Sequence, residues 1–312
     1  MKRGALVVLA VLLDSVFGDP PSLPHPVRTI GASIAGGEGI ARGLFPSTPG
    51  GERWAGAALT ITIVAVTYAS AAAAARVPAL EAIAGASALA LRDLLDHVRA
   101  VLVPLRSGDL AMARVRLAAV VGRDTDGLGE GEIARAAIET LAESACDGVI
   151  APLFYLTIGG APAALAYKAV NTLDSAIGHF EQPYRDFGAF AARLDDVANF
   201  VPARLTAACI AAAASVLFKK RTNAVATWLR EGARHRSPNA GQVEAAMAGA
   251  LEVCLGGSNR YDGVEVPGET FGAQFPGPNA LDVERAMEVT LLASGIAYLF
   301  AVAVGVAIDA RS

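Results

Sequence analysis

Charged residues are scarce in this sequence. Asp, Glu, Lys and Arg make up 18% of its 312 residues, whereas an ordinary soluble domain carries about 25%. Hydrophobic residues reach 54%, and the mean hydropathy is +0.44. This composition excludes a disordered chain, because disordered segments are polar and highly charged. The net charge of −4 and the lack of a Lys/Arg stripe also argue against a nucleic-acid partner.

Several familiar sequence signatures are missing as well. The chain has neither a GxxxxGKS/T phosphate loop nor a GxGxxG run after a strand, and it lacks HExxH and GxSxG. Any nucleotide chemistry must therefore use another kind of site. The three cysteines, Cys146, Cys209 and Cys254, are odd in number and lack metal-ligand spacing. They favour packed side chains over a disulfide framework.

Long uncharged windows are the main positive feature. A membrane-spanning helix needs about 20 apolar residues, and residues 55–75 and 289–308 meet this length without a charged side chain. Residues 148–167 are also uncharged but contain two prolines and a Gly-Gly pair. This composition predicts a broken span or a re-entrant hairpin, whose freed backbone must be buried in protein or line a wet cavity.

Weaker apolar windows lie at residues 4–13, 79–91 and 205–218, a length that is also typical of buried core helices. We interpret residues 4–13 as an uncleaved first membrane helix, because no small-x-small cleavage motif follows it. Alternation with period two is almost absent. The sequence therefore predicts an all-α polytopic integral membrane protein, a single domain over 1–312 with about four to six membrane helices and helical or irregular loops.

Ionisable residues are dense at the edges of these windows, where charges are costly and usually functional or paired. Arg135, Glu139, Glu143 and Asp147 follow one another at intervals of four, which places them along one face of a helix. Three neighbouring carboxylates repel one another unless a cation lies among them. The line predicts a site for an arginine or a divalent metal, although a solvated face paired to Arg135 would show the same spacing.

Two further segments carry acidic and amide side chains at helical spacing. Asn171 and Asp174 are three residues apart, and Asp195 and Asp196 precede Asn199 by four and three residues. Carboxylate and amide oxygens are ligands that Mg²⁺ prefers, often together with substrate phosphates. The pattern predicts a magnesium site, with helix capping by Asp195 and a structural ion pair as the alternative.

Other polar side chains are candidates for holding anionic reactants. His25 and Arg28 lie in a proline-rich loop that limits their freedom. His25 could serve as a general base or a ligand, although a lone histidine is more often structural. Ser237 and Asn239 precede a helix, and their side chains would either cap this helix or bind a substrate. Further candidates to clamp phosphate or carboxylate are Arg123, Asp124, Lys168, Arg193 and Arg204.

Six runs of sequence occur together in one order. They are LDSVFGDPPSLPHPVRTIG (13–31), VGRDTDGL (121–128), ARAAIETLAESACDGVIAPLFY (134–155), GGAPAALAYKAVNTLDSAIGH (159–179), ARLDDVANFVPARLT (192–206) and SPNAGQVEAAMAGAL (237–251). This set resembles the CobD/CbiB family of cobalamin-biosynthesis membrane proteins. The resemblance covers nearly the whole chain, with weaker agreement at 32–91 and in the C-terminal span.

The resemblance implies an acid–amine ligase that forms a C–N bond, adenosylcobinamide-phosphate synthase. Aminopropanol or (R)-1-aminopropan-2-yl phosphate would be joined to the free propionate of adenosylcobyric acid, giving adenosylcobinamide or its phosphate. The resemblance implies ATP and Mg²⁺ as cofactors, with the corrinoid as substrate and not as prosthetic group. It also implies a multi-pass protein of the bacterial cell (inner) membrane, in contact with lipid. A homodimer, or a complex with later membrane enzymes of cobalamin biosynthesis, is a further expectation.

We assign roles to this chain's residues from the motifs themselves. Activating a carboxylate as an acyl phosphate requires Mg²⁺ and cationic side chains around the transferring group. The expected catalytic residues are His25, Glu143 and Glu139, of which His25 or Glu143 would deprotonate the ammonium. The expected metal ligands are Asp174, Asp195, Asp196 and Asn199. The expected substrate-binding residues are Arg28, Arg123, Asp124, Lys168, Asn171, Arg193, Arg204, Ser237 and Asn239. We expect the acids and amides of 139–147, 171–174 and 195–199 to converge beside the bilayer.

Two other classes of function compete with this interpretation. A UbiA-like, Mg²⁺-dependent membrane prenyltransferase also places Asp and Asn motifs at helix ends, but Asn171 and Asp174 do not complete its NDxxDxxxD pattern. A transporter or non-enzymatic membrane partner protein would suit charges beside a broken helix, yet no inverted repeat is evident.

Overall fold

The architecture comes from a computed structural model that describes residues 1–20, 24–179, 181–219 and 221–311. Within these ranges the chain is built almost entirely from helices. They are α1 (Arg3–Phe17), α2 (Pro26–Leu44), α3 (Pro49–Ala74), α4 (Pro78–Ala86), α5 (Leu91–Arg106), α6 (Leu110–Ala118), α7 (Glu130–Ser144), α8 (Ala151–Ile177), α9 (Ala189–Phe218), α10 (Arg221–Glu231), α11 (Ala240–Leu251) and α12 (Ala280–Asp309). A π-helical segment, Ala145–Ile150, joins α7 to α8.

The predicted all-α membrane fold is confirmed. In the described ranges, four helical stretches are long and apolar enough to cross a bilayer: Pro49–Ala74, Glu130–Ile177, Ala189–Phe218 and Ala280–Asp309. They contain the windows predicted at 148–167, 205–218 and 289–308, and all but the last residue of the window at 55–75. The most apolar windows of α3 and α12 are only 17% and 28% buried within the chain. Apolar helices exposed to this extent require another apolar environment, which lipid supplies.

Two local features add detail to the expectations. The first helix, α1, is 15 residues long and is not among the four membrane-capable stretches of the described chain. At 1.5 Å per residue it reaches about 22 Å, short of a hydrocarbon core about 30 Å thick. The loops are also not wholly irregular. Four short strands occur: β1 (Leu255–Gly256), β2 (Asn259–Tyr261), β3 (Val264–Val266) and β4 (Thr270–Phe271).

The predicted break in the third window is confirmed and lies at Gly160. This residue has φ 75° and ψ −171° inside α8, a conformation that an L side chain rarely adopts. Pro162 follows two residues later, and its missing N–H and its ring both disturb the helical hydrogen bonds. Gly160 is buried, in agreement with the rule that freed backbone at membrane depth is covered by protein.

The chain divides into two compact units. The first unit comprises Met1–Ala90, Asp147–Asn199 and Tyr298–Ser312. In it α8 packs against α1, α2, α3 and α4. Leu59, Leu173 and Phe187 are part of a buried apolar cluster there. Close packing is aided by small residues: a Cβ placed on Gly56 of α3 would lie 1.7 Å from the Phe187 carbonyl oxygen.

The second unit comprises Leu91–Cys146 and Phe200–Ala297. In it α7 packs against α5, α6 and α11, and α10 packs against α11. The strands form two antiparallel pairs, β1 with β4 and β2 with β3. Residues 255–278, which we call the glycine-rich segment, begin with β1. Because β1 contacts both α7 and α11, this segment lies against these two helices and closes a polar cavity.

Candidate functional sites

Both units contain a concentration of polar side chains next to the predicted site residues. In the first unit the group is Asp147, Lys168, Asn171, Asp195 and Asn199, which we call the α8–α9 cluster. The Lys168 ammonium donates to the Asp147 carbonyl oxygen at 3.2 Å and to Asn171 Oδ1 at 3.3 Å. The Asn171 amide donates to Asp147 Oδ2 at 3.1 Å. The lysine therefore places a positive charge among carboxylate and amide oxygens.

A tyrosine anchors the α9 side of the cluster. The Tyr167 hydroxyl donates to Asn199 Oδ1 at 2.9 Å, and Asn199 Nδ2 donates to Asp195 Oδ2 at 3.0 Å. The Tyr167 ring stacks on Tyr155 at 5.1 Å between centroids. This chain of contacts holds Asp195 Oδ2 in place. Asp195 is only 8% exposed, and its Oδ1 is buried without a hydrogen-bond partner among the described residues.

Two further predicted metal ligands lie near this carboxylate. Asp174 is within electrostatic range of both Asp195 and Asp196. Arg193 balances Asp196, which is half-buried. Three carboxylates in this region therefore repel one another, and a positive charge bound among them would relieve that repulsion.

The N-terminal loop brings a histidine to the first unit's polar region. His25 Nε2 lies 2.9 Å from Asp19 Oδ1, and Asp19 is itself within electrostatic range of Lys168. Arg28 is exposed and donates to the Pro20 carbonyl oxygen at 3.3 Å. His25 is thus paired with a carboxylate, an arrangement that orients an imidazole. The contact of Arg28, at the start of α2, is with the loop that precedes the helix.

The α8–α9 cluster has the donor chemistry for a hard cation. Among the described residues, no three His, Cys, Asp or Glu side chains come together as a ready metal site. Magnesium, however, is usually bound through one or two carboxylates with substrate phosphates and water. The buried Oδ1 of Asp195 is an available oxygen donor of this kind. The residues therefore fit a Mg²⁺ ion that arrives with a phosphate ligand.

In the second unit, a cavity of about 360 Å³ is lined by polar side chains; we call it the α7 cavity. Its charged and polar lining includes Arg123, Glu139, Thr140, Glu143, Ser144, His235, Glu244, Asn259, Tyr261 and Glu269. The glycine-rich segment contributes Gly256, Gly257 and Gly268. Four carboxyl groups, one imidazole and one guanidinium thus face a space large enough for a small organic molecule.

Glu139 is a fixed part of the cavity wall. It is 4% exposed, and its carboxylate accepts from Arg123 Nη2 at 2.6 Å and from the Gly256 N–H at 2.7 Å. Arg135 lies 3.7 Å from the same carboxylate and donates to Asn259 Oδ1 at 3.0 Å. Glu139 therefore connects both arginines to the glycine-rich segment and fixes their positions in the cavity wall.

Glu143 and Glu244 form a hydrogen-bonded carboxyl pair. Glu143 is exposed and lines the cavity, whereas Glu244 is 6% exposed. Burial, followed by the negative charges of Glu143 and Glu139, raises the pKa of Glu244 well above its usual value. Of the two carboxyl groups, Glu244 is therefore the one we expect to keep its proton and to donate it to Glu143.

His235 supplies an uncharged imidazole to the same cavity. Its Nδ1 lies 3.0 Å from the Ser237 N–H and 3.3 Å from the Ser237 carbonyl oxygen. Burial lowers the pKa of His235. The hydrogen bond with the Ser237 backbone and the negative charges of Glu139 and Glu269 raise the pKa, but the effect of burial is larger. The imidazole is therefore a hydrogen-bond donor at neutral pH and not a second cation.

Ser237 and Asn239 occupy the start of α11, as the capping alternative predicts. The Ser237 hydroxyl accepts from the Asn239 and Ala240 N–H groups at 3.2 and 3.3 Å. Asn239 is the N-cap residue and is buried, but its side chain makes no cap hydrogen bond. In α9, Arg204 donates to the Phe200 carbonyl at 2.7 Å and covers the Phe200 ring at 3.6 Å. These contacts give Ser237 and Arg204 local structural roles.

Asp124 holds the β2–β3 hairpin. Its carboxylate accepts from the N–H groups of Asp262 and Gly263 at 3.2 and 2.7 Å, and its own N–H donates to the Arg260 carbonyl at 2.8 Å. Asp262 and Gly263 both have positive φ, 49° and 79°, as a tight two-residue hairpin turn requires. Both carboxylate oxygens are thus engaged by the turn.

Replacing Asp124 with Ala should loosen this hairpin and leave the helices intact. Losing two partly exposed hydrogen bonds to a carboxylate costs about 1 kcal/mol, or about fivefold more frequent opening. Limited proteolysis with mass-spectrometric mapping should show faster cleavage within residues 259–266. The exposed Asp126→Ala variant is the control, and equal cleavage in both variants would contradict the anchoring role.

Comparisons with known proteins decide the family. The sequence model of the family described as CobD/Cbib protein matches residues 7–290. The chain belongs to the CobD/CbiB family. It is similar to the cobalamin biosynthesis protein CobD of Geobacter metallireducens, with 46% identity over 280 residues and 87% of each chain. No solved structure matched the chain.

Other relatives extend the similarity over more of the chain. The cobalamin biosynthesis protein CobD of Klebsiella pneumoniae is 40% identical over 298 residues, 93% of each chain. The cobalamin biosynthesis protein CbiB of Salmonella typhimurium is 39% identical over 304 residues, 95% of each chain. The predicted resemblance is confirmed. Membership of the CobD/CbiB family supports a role as an enzyme of cobalamin biosynthesis, and the four membrane-capable helices make the chain a membrane protein.

The structure divides the predicted CobD/CbiB site residues between the units. His25, Lys168, Asn171, Asp174, Asp195, Asp196 and Asn199 fall in the first unit, as do Arg28 and Arg193. Arg123, Asp124, Glu139, Glu143, Arg204, Ser237 and Asn239 fall in the second. Asn171 hydrogen-bonds Asp147, and Asp195 lies within electrostatic range of Asp147. The roles of all these residues stay predictions.

The expected single line of carboxylates does not continue to Asp147. The α-helical spacing holds for Arg135, Glu139 and Glu143, but the helix widens to a π-helix from Ala145. A π turn holds one residue more than the sequence spacing assumes, so it shifts the face on which later side chains emerge. Asp147 consequently bonds Asn171, whereas Glu143 bonds Glu244.

His235 and Glu244 of the cavity lining are not among the residues predicted from the sequence. For Glu244 the available signal is an acidic residue within α11, whose other residues are apolar except for Gln242. For His235 the sequence offers no comparable signal, because an isolated histidine in an Arg-rich loop is usually solvated.

Proposed function

We propose that this protein is the acid–amine ligase of its family, an adenosylcobinamide-phosphate synthase. It would join aminopropanol or its phosphate to the free propionate of adenosylcobyric acid in an ATP-dependent reaction. The observation that carries the proposal is the α8–α9 cluster, in which a lysine, carboxylates and amides meet with one buried carboxylate oxygen left open. This is the chemistry required to hold a metal-bound phosphate and a carboxylate.

The reaction balances in two steps. The propionate carboxylate takes a phosphoryl group from ATP, and ADP leaves. The amine nitrogen, having lost one proton, attacks the acyl carbon; a C–N bond forms, the C–O bond to phosphate breaks, and inorganic phosphate and a second proton leave. Amide formation from an ammonium and a free carboxylate is unfavourable near neutral pH, which is why activation and deprotonation are both needed.

Within the first unit, the residues that would hold Mg²⁺ are Asp195, Asp174 and Asp196, with Asn199 fixing Asp195. When bound, the metal would neutralise charge on the phosphoryl group. Lys168 would hold a phosphate oxygen in exchange for its present carbonyl and amide contacts. Tyr167 and Asn199 would keep Asp195 in one orientation, and His25 with Asp19 would serve as a local proton acceptor.

The cellular setting follows from the same proposal. The protein would lie in the bacterial inner membrane as a multi-pass protein in contact with lipid. Its partners would be adenosylcobyric acid and the amino alcohol or its phosphate, with a homodimer or later membrane enzymes of the pathway as protein partners. Membership of the CobD/CbiB family favours the ligase over a prenyltransferase. A transporter without enzymatic activity is one possible outcome of the assay described next.

The test is a direct assay with the full chain in lipid bilayers. The protein is incubated with adenosylcobyric acid, aminopropanol phosphate or aminopropanol, and Mg-ATP, and the amide product is measured by mass spectrometry. Product and ADP should form in equal amounts and disappear when ATP is omitted or metal is chelated. Binding of the corrinoid with no amide and no ADP in any arm would overturn the proposal in favour of a transporter or partner protein.

A further inference from the structure

The α7 cavity is chemically different from a phosphate site. Its lining holds one guanidinium, Arg123, and that group already binds Glu139 and Asn259 at 2.6 Å each. The carboxyl groups outnumber it, and Glu143 is exposed in the wall. A cavity with this surplus of acid favours a cation over an anion.

The cation should be organic rather than metallic. The Glu143–Glu244 pair is already joined by a hydrogen bond, and Glu139 is held by Arg123 and the Gly256 N–H, so these carboxyl groups are not arranged around one metal ion. A primary ammonium needs only acceptor oxygens and has three N–H donors to share among them. The volume of about 360 Å³ accommodates a small amino alcohol or its phosphate ester. The His235 imidazole and the Arg123 guanidinium line the same cavity and can donate to a hydroxyl or phosphate oxygen of such a molecule.

We propose that the α7 cavity binds the primary amine reactant, with the Glu143–Glu244 pair holding its ammonium and accepting a proton from it. This inference rests on the proposed ligase function. It makes Glu143 and Glu244 catalytic residues, whereas Glu139 and His235 position the wall and the far end of the reactant. On this proposal the general base is the Glu143–Glu244 pair and not His25.

The proton balance is simple. Before binding, the two carboxyl groups share one proton and carry a single negative charge. One ammonium N–H bond breaks and one O–H bond forms on the pair, so both carboxyl groups become neutral and the nitrogen regains its lone pair. The resulting neutral amine is the nucleophile, and the pair returns its extra proton to water after product leaves.

The experiment measures amide formation by Glu244→Gln and Glu143→Gln proteins in lipid. Gln keeps the shape and can still hydrogen-bond, but it cannot take a proton. With corrinoid and Mg-ATP saturating, kcat/KM for the amine should fall about 100-fold or more in each variant. The KM for the corrinoid should stay within about twofold, since only amine capture is changed. Because the pair acts as a unit, kcat/KM for the amine in the double variant should be no lower than in the less active of the two single variants.

The pH profile separates a base from a structural role. The defect of Glu244→Gln should shrink at alkaline pH, because the amine in solution then loses its proton without help. The titratable and charged groups facing the pair are Arg123, Glu139, His235, Tyr261 and Glu269. His235→Gln is therefore measured in parallel, and its deficit should not shrink with rising pH.

Thermal stability supplies a readout independent of turnover. The pKa of Glu244 is raised in the folded state, so its protonation favours the fold at low pH and that contribution is lost as pH rises through the raised value. As the pH rises above the ordinary pKa of a glutamate, the melting temperature of the wild type should therefore fall more than that of Glu244→Gln.

The outcomes distinguish the two proposals. A wild-type protein that makes no amide refutes the ligase function itself. An active wild type whose Glu244→Gln and Glu143→Gln variants keep kcat/KM for the amine overturns the cavity assignment alone. The exposed Glu130→Gln change on α7 is the matched control and should leave every parameter unchanged.

Discussion

Replacing Asp195 with Asn should reduce amide synthesis by at least about 100-fold while the protein stays folded. Asn has the shape of Asp and can keep the contact with Asn199, but it removes the negative charge and one strong oxygen donor. Asp195 is 8% exposed, and its Oδ1 has no hydrogen-bond partner by geometry among the described residues. The neighbouring amides of Asn199 and Asn171 are uncharged and do not replace the lost negative charge. The variant should also need at least about tenfold more Mg²⁺ for half-maximal rate.

Two measurements check the Asp195 prediction. Product formation is followed by mass spectrometry during a magnesium titration, and melting of the lipid-embedded protein reports folding. The exposed carboxylate of Glu181 in the same unit offers a control, and Glu181→Gln should behave as wild type. Full activity of folded Asp195→Asn at wild-type magnesium concentration would show that this carboxylate holds no metal.

Replacing Gly56 with Ala should destabilise the fold by at least about 3 kcal/mol, a large part of a typical 5–15 kcal/mol. A Cβ at Gly56 would lie 1.7 Å from the Phe187 carbonyl oxygen and 2.7 Å from its carbon. Both neighbours are backbone atoms, so relief requires moving α3 or the segment before α9. Phe187 is fully buried, and that movement would open the apolar cluster around Leu173.

The matched control for Gly56 lies in the first turn of the same helix. A Cβ built on Gly50 meets nothing within 4 Å, and Ala is favoured over Gly in a helix by up to about 1 kcal/mol. Gly50→Ala should therefore melt at or slightly above the wild-type temperature. Size-exclusion profiles and melting curves in detergent test both changes. A Gly56→Ala protein that melts with wild type would mean that α3 and Phe187 are not in close contact.

Much of the fold could be predicted from the sequence because membrane helices obey a simple rule. Hydrocarbon cannot satisfy backbone polar groups, so long uncharged windows must be helical, and the four membrane-capable stretches contain the predicted ones. The break at Gly160 was also predictable, since glycine and proline act locally on the backbone. The rule is less informative for short elements, such as the 15-residue α1 and the two- and three-residue strands after Leu251.

The candidate site could be predicted only in part. Helical spacing places Lys168 beside Asn171, and Asp195 beside Asn199, because such neighbours lie one turn apart. It does not reveal that Glu143 meets Glu244, about a hundred residues later, because no local interaction couples these segments. Nor does it reveal the π-helical segment at Ala145–Ile150, which changes the face on which Asp147 emerges.

The sequence by itself determined the membrane-embedded helical class and the family, since both depend on residue type and order alone. The tertiary structure alone decided which charged side chains share a site. Long-range packing brings α11 and the glycine-rich segment against α7, and that contact turns two separate glutamates into one proton-sharing pair. The free energy of a carboxyl group depends on its surroundings, which the order of residues does not specify.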